Sequence, residues 1–190
     1  MIKLLTISEN VTNEIIINKS RFITYACKVN SLEQINEILT KIKKEYKDAT
    51  HYCFAYKFGN VKRFNDDGEP SHTAGMPILN VIESKNLDNI LIIVIRYFGG
   101  IKLGAGGLTR AYSNSASEVI NKATIIPIIN EYKVRIEFNY ENINNINYLL
   151  KDYKITYKEF DKNVIYEFIY EENKYPNEID KYIEKKFNIN

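Results

Sequence analysis

Two short runs hold most of the residues that could do chemistry. The first is Asp66-Asp67-Gly68-Glu69-Pro70-Ser71-His72-Thr73-Ala74-Gly75-Met76-Pro77. Asp66, Asp67 and Glu69 put three carboxylates into four positions, a spacing that could bind a divalent cation through oxygens or supply acid–base chemistry. Asp-Gly and Glu-Pro are also turn formers, so a structured loop whose acids pair with Arg63, Arg96 or Arg110 is the simpler expectation. The second run extends from Arg96 to Tyr112 and contains Gly99, Gly100, Gly104, Gly106 and Gly107 beside Lys102 and Arg110. A buried strand followed by glycines and a helix start aims backbone N–H groups and a helix dipole at an anion. Arg96, Lys102 and Arg110 would add charge, and the alternative is a tightly packed turn where backbones touch.

Other arrangements are weaker. The second run lacks the Gly-Lys-Ser/Thr triplet of a Walker A loop, and Gly104-x-Gly106-x-x-Thr109 lacks the last small residue of a dinucleotide fingerprint. His51 and Cys53 share one face of a strand, but with His72 they lack standard metal-ligand spacing. Ser71, Thr73, Ser113, Ser115 and Ser117 belong to no G-x-S-x-G nucleophile elbow. No catalytic constellation, metal site or cofactor is therefore expected.

The elements that must position these runs follow from periodicity. Val11–Ile17 and Arg21–Val29 read as strands around an Asn18-Lys19-Ser20 turn. Ser31 with Gln34 predicts an N-cap, and apolar residues at helical spacing carry a helix over Ser31–Lys47. His51–Phe58 alternates as a strand, the Asp66–Met76 loop follows, and Pro77–Glu83 suits a short helix. Ile90–Ile95 reads as a strand buried on both faces, and Leu108, Tyr112, Ser115, Ala116, Val119 and Ala123 mark a helix ending near Lys122. The first domain is thus β-β-α-β-α-β-α over residues 1–125. Beyond Pro127, Tyr132–Tyr140, Asn142–Lys151, Ile155–Phe160, Val164–Tyr170 and a final helix Pro176–Phe187 predict β-α-β-β-α, a ferredoxin-like order, for residues 126–190.

Composition sets the frame. The 190 residues are 45% hydrophobic and 26% charged, too apolar for disorder. The strongest apolar run, Ile90–Ile95, is far short of the ~20 residues that span a bilayer, so no membrane partner is expected. Cys27 and Cys53 form no CxxC pair, and a reduced, cytoplasmic protein is the expectation. Residues 1–125 hold 16 of the 26 Lys and Arg but 12 of the 24 Asp and Glu. Asn89–Ser117 contains no acid at all, so a local positive field coincides with the second glycine run and favours an anionic partner.

The two runs, with Ser20-Arg21-Phe22-Ile23 and Ala49-Thr50-His51-x-Cys53-x-Ala55-Tyr56, resemble the IMPACT (YigZ-type) family in order and spacing over nearly the whole chain. His72 stands where that family usually has Gly, and Met76 where it usually has Arg, so no anion contact is carried to position 76. The resemblance implies an α/β (α+β) chain of two domains. The first has the ribosomal protein S5 domain 2-like fold and the second the ferredoxin-like fold, with the last strand of the second short or missing. That pair is similar to two domains of elongation factor G, which implies contact with the ribosome or structured RNA. Eukaryotic relatives regulate translation during amino-acid starvation through a regulatory protein partner, using an extra domain, so that partner is not carried over. The resemblance also marks Asp66, Asp67, Gly68, Glu69, Pro70, Thr73, Gly75 and Pro77 as a signature loop. The function expected is a non-enzymatic regulator of translation that binds the ribosome, RNA or a translation-regulatory partner. The alternative is an enzyme acting on a phosphorylated small molecule through the glycine-rich loop.

Overall fold

A computed structural model describes residues 4–189. The chain divides into two compact units that meet between Ile128 and Ile129. In the first, β1 (Leu5–Ile7) and β7 (Ile125–Pro127) form a small antiparallel pair. The remaining strands form one antiparallel sheet in the order β2-β3-β6-β4-β5. These are β2 (Val11–Ile17), β3 (Ser20–Lys28), β4 (His51–Phe58), β5 (Val61–Asn65) and β6 (Ile90–Tyr97). The helices are α1 (Leu32–Glu45), α2 (Gly75–Ser84) and α3 (Gly104–Asn121).

The central strand β6 explains the layering. Its side chains alternate across the sheet. Leu91, Ile93 and Ile95 pack with Ile35 and Ile42 of α1 on one face. Ile92 and Val94 pack with Ile78 and Ile82 of α2 and with Leu108, Tyr112 and Val119 of α3 on the other. Arg96 has the parity of Ile92 and Val94, so it enters the layer of α2 and α3. At the start of α1, Ser31 Oγ accepts the Gln34 N–H and Gln34 Oε1 accepts the Asn30 N–H, a reciprocal cap.

Two elements of this unit differ from the sequence reading. Val61–Asn65 is a strand paired antiparallel with β4, in a stretch to which the sequence reading assigns no element. Its residues are mostly exposed, so it lacks the alternation that marks a half-buried strand. The third helix begins at Gly104, a turn earlier than the apolar pattern indicates, because its first turn is glycine, alanine and solvent.

The second unit contains β8 (Glu131–Phe138), α4 (Ile143–Leu149), β9 (Lys154–Phe160), β10 (Val164–Glu171) and β11 (Lys185–Ile189). The sheet order β11-β8-β10-β9, antiparallel throughout, is that of a ferredoxin-like fold with its terminal strand present. The helix expected over Pro176–Phe187 is not formed. Asn177–Lys181 makes one short 3-10 helix that buries Ile179, and Lys185–Ile189 extends along β8. The apolar spacing of Ile179, Tyr182 and Ile183 fits a helix locally. The unpaired backbone along the outer edge of β8 supplies hydrogen bonds that an isolated turn of helix cannot match.

Candidate anion-binding site

The Asp66–Gly75 loop is organised by its acids. Asp66 accepts three backbone N–H groups: His72 at 2.8 Å on Oδ2, and Ala74 and Gly75 at 3.0 and 2.8 Å on Oδ1. It thereby fixes the loop and supplies acceptors at the start of α2, whose own N-cap, Ala74, has none. Asp67 accepts the Tyr52 N–H at 2.7 Å, and its carbonyl receives His51 Nδ1–H at 2.8 Å. Gly68 adopts φ +87°, and Thr73 Oγ1 donates to the Pro70 carbonyl at 2.6 Å. Gly75 must lack a side chain, because a Cβ would lie 2.7 Å from the Asn65 backbone. Pro77 is buried in the first turn of α2. His72 stands at φ +62°, a left-handed conformation that glycine adopts at no steric cost.

Glu69 turns inward. Its Oε1 accepts Arg96 Nη1–H at 2.6 Å and Tyr112 Oη–H at 2.7 Å, and all three side chains are buried. Arg96 also donates to Ser20 Oγ at 3.3 Å, and its guanidinium lies over the rings of Phe22 and Phe98. This charge is therefore neutralised within the fold. Cys53 Sγ donates to the Asp66 carbonyl at 3.0 Å and lies 3.4 Å from Tyr112 Oη. Burial pushes both the Cys53 thiol and the Tyr112 hydroxyl well up from their ordinary values, so Cys53 is no thiolate nucleophile. No group of three or more His, Cys, Asp or Glu that could hold a metal ion occurs among the described residues. Ser20, Thr50 and Tyr112 had no part in the site as read from sequence. Tyr112 is foreshadowed by its place at the end of the second run and on the apolar face of α3, whereas Ser20 and Thr50 belong to motifs that carry the resemblance and reach the site through strand pairing.

Beyond Arg96 the chain is held by two hydroxyls. Thr50 Oγ1 accepts the Phe98 N–H at 3.0 Å and Ser20 Oγ accepts the Gly99 N–H at 3.2 Å. Gly99 sits directly on the β2–β3 turn, where a Cβ would overlap the Lys19 carbonyl and the Ser20 nitrogen. Gly100 adopts φ +84° in open space. The start of α3 then presents Gly104, Ala105 and Gly106 to solvent, with no side-chain cap and no acid in its first turn. The first four N–H groups of a helix lack intrahelical acceptors, so this end carries a partial positive charge. Lys102 and Arg110 are exposed beside it, and neither enters an ion pair among the described residues. Gly107 packs close to Leu103, where a Cβ would meet Leu103 Cβ at 3.0 Å. Of the three basic residues, the structure thus buries Arg96 against Glu69 and leaves Lys102 and Arg110 at the surface.

These two loops coincide with a family signature. The Impact N-terminal domain family matches residues 18–120, from the β2–β3 turn through α3. The chain belongs to the IMPACT family. IMPACT family member YvyE of Bacillus subtilis is 47% identical over 124 residues, which are 64% of this chain and 57% of that protein. The IMPACT family member in pol 5'region of Thermus thermophilus is 39% identical over 136 residues, 72% of this chain and 74% of that protein. A solved structure described as a hypothetical protein is 30% identical, covers 89% of this chain and 86% of its own, and superposes with a TM-score of 0.65. No helix among the described residues is long and apolar enough to cross a membrane.

Proposed function

We propose that this IMPACT-family protein is a non-enzymatic cytoplasmic regulator of translation that contacts phosphates of the ribosome or of structured RNA. The contact surface is the start of α3: the N–H groups of Gly104, Ala105, Gly106 and Gly107, with Lys102 and Arg110. Gly99 and Gly100 shape the loop that presents it, and Arg96 anchors that loop through Glu69. The observation that carries this reading is the uncapped, acid-free helix start flanked by two cations that no carboxylate neutralises among the described residues. Such an arrangement suits an anion. Membership of the IMPACT family supports the regulation of translation as the process.

The test is cosedimentation with ribosomes at low salt. A Lys102→Ala/Arg110→Ala variant, its fold checked by circular dichroism, is expected to lose most of the bound fraction. Binding by the wild type should weaken steeply with salt, and the variant should reduce the logarithmic salt slope by about two, one for each lost phosphate contact. Equal cosedimentation of variant and wild type refutes the reading, and salt-insensitive binding would favour a protein partner instead.

A further inference from the structure

β2 lies at the outer edge of the five-stranded sheet and is paired with β3 on one side only. Asn18 at φ 45° and Lys19 at φ 65° form a two-residue turn whose closing pair, Ile17 and Ser20, is hydrogen-bonded. Successive residues of an antiparallel strand alternate between bonding their partner and facing away from it. Counted back from Ile17, the N–H and C=O groups of Ile16, Glu14 and Thr12 therefore point out from the sheet. No other backbone takes them among the described residues.

Such an edge is a template for another strand, and folded chains usually blunt it with charge or irregularity. The other edges of the two larger sheets are blunted: β5 carries Lys62 and Arg63, β9 Lys154 and Lys158, and β11 Lys185 and Lys186. β2 has no lysine, arginine, proline or register shift, and its one charge, Glu14, is bound to Arg21 at 2.7 Å. Its Ile16 is 70% exposed.

A second, independent feature lies alongside. Lys122 Nζ, at the end of α3, donates to Asn13 Oδ1 at 2.6 Å, while Leu103 and Gly107, at its start, share a cavity with Ile17. The helix and the edge strand therefore run side by side. The cavity between the helix and the end of the strand measures about 700 Å³. Ile17, Leu103 and Ala111 give it apolar surface, Asn114 adds a polar group, and no lining residue is acidic. Arg110 adds a charge that no carboxylate neutralises among the described residues.

We propose that the β2 edge takes up an extended, carboxylate-bearing segment of a partner protein as a further strand of this sheet. Main-chain hydrogen bonds to Thr12, Glu14 and Ile16 would hold it, and its alternate side chains would enter the cavity beside α3. Small apolar side chains suit Ile17, Leu103 and Ala111, and a carboxylate suits Arg110. Charge thus selects an acidic segment over a basic one. An edge of alternating N–H and C=O groups matches a peptide backbone, not a phosphate chain. The proposal goes beyond the RNA reading, with which it shares only Arg110.

The experiment titrates the full chain with the peptide acetyl-Val-Thr-Val-Thr-Glu-Thr-Val-Thr-Val-amide, and with the same peptide carrying lysine for glutamate, following 15N-resolved amide exchange. The expected result is a saturable slowing, at least about tenfold, of exchange at Thr12, Glu14 and Ile16, with Asn13 and Ile15, already bonded to β3, unchanged. The lysine peptide should bind at least about tenfold more weakly. Ile16→Pro removes an outward N–H at an edge position where proline is tolerated, and it should weaken binding by a similar factor. Asn114→Glu sets a carboxylate in the cavity, should weaken only the glutamate peptide, and serves as the second variant if Ile16→Pro does not fold. No saturable slowing with the glutamate peptide, equal binding of the lysine peptide, or equal binding by both variants and the wild type overturns the proposal. Slowing of the same amides without peptide, rising with protein concentration, would assign the edge to a second copy of this chain and overturn it as well. Peptide binding without ribosome cosedimentation would uphold this edge and refute the RNA reading. Cosedimentation without peptide binding would do the reverse.

Discussion

Removing the Glu69 carboxylate would leave the Arg96 guanidinium buried against Phe22 and Phe98 with Ser20 Oγ as its remaining acceptor. Breaking a buried pair from one side costs about 3–5 kcal/mol, so Glu69→Ala should lower the stability measured by urea denaturation by that amount. An unchanged midpoint would mean that Glu69 does not hold the arginine. His72 makes the opposite prediction. Its φ of +62° strains a side chain, so His72→Gly should raise stability by about 0.5–1 kcal/mol in the same assay. A loss would show that the contact of its ring with Phe64 outweighs the backbone strain. These pairings were only half legible in the sequence. The residues of the two runs show that acids of the first can pair with bases of the second. That Glu69 takes Arg96 while Asp66 takes three backbone N–H groups depends on which face of β6 position 96 occupies and how the loop folds back over it. Neither follows from local spacing.

At the scale of elements, Gly99 and Gly100 separate two reasons for a glycine. Gly99→Ala would drive a Cβ into the Lys19–Ser20 backbone and should destabilise by at least about 3 kcal/mol. Gly100→Ala meets no atom and should cost only about 1–2 kcal/mol for its left-handed backbone. Equal losses in denaturation of the two variants would contradict this packing of the β2–β3 turn on the glycine run. Local pattern located most helices and strands, since Ile90–Ile95 and the α1 stripe each bury what their period predicts. It misread the chain end: Phe187 fits a helical stripe, but it lies half-exposed opposite Arg135 in the β11–β8 ladder. It also could not see β5, an exposed strand defined by its pairing with β4.

For the whole molecule, four carboxylates contribute to the response to acid. Glu14 is held below its ordinary value of 4.5 by hydrogen bonding to Arg21, Glu33 by its own backbone N–H and Ser31, Glu137 by Asn163 and Lys185, and Glu167 by Lys133 and Arg135. A group whose folded value is depressed binds fewer protons folded than unfolded. Its contribution is therefore complete above the ordinary value and is lost as pH falls through the lower folded one. Stability should be flat near neutrality and decline below about pH 4.5, and Glu167→Gln should flatten part of that decline. A decline that began near pH 6 would contradict this assignment. Composition, periodicity and spacing by themselves determined an α/β chain, its principal helices and strands, and the two loops in which unusual chemistry is concentrated. These properties are local: burial imposes its period on each segment, and glycine and acid runs are visible wherever they fall. The tertiary structure alone decided that Arg96 is neutralised, that Lys102 and Arg110 stand beside an uncapped helix start, and that the last residues complete a sheet. Charge pairing and strand addition join residues far apart in the chain, and only the folded backbone brings their partners within reach.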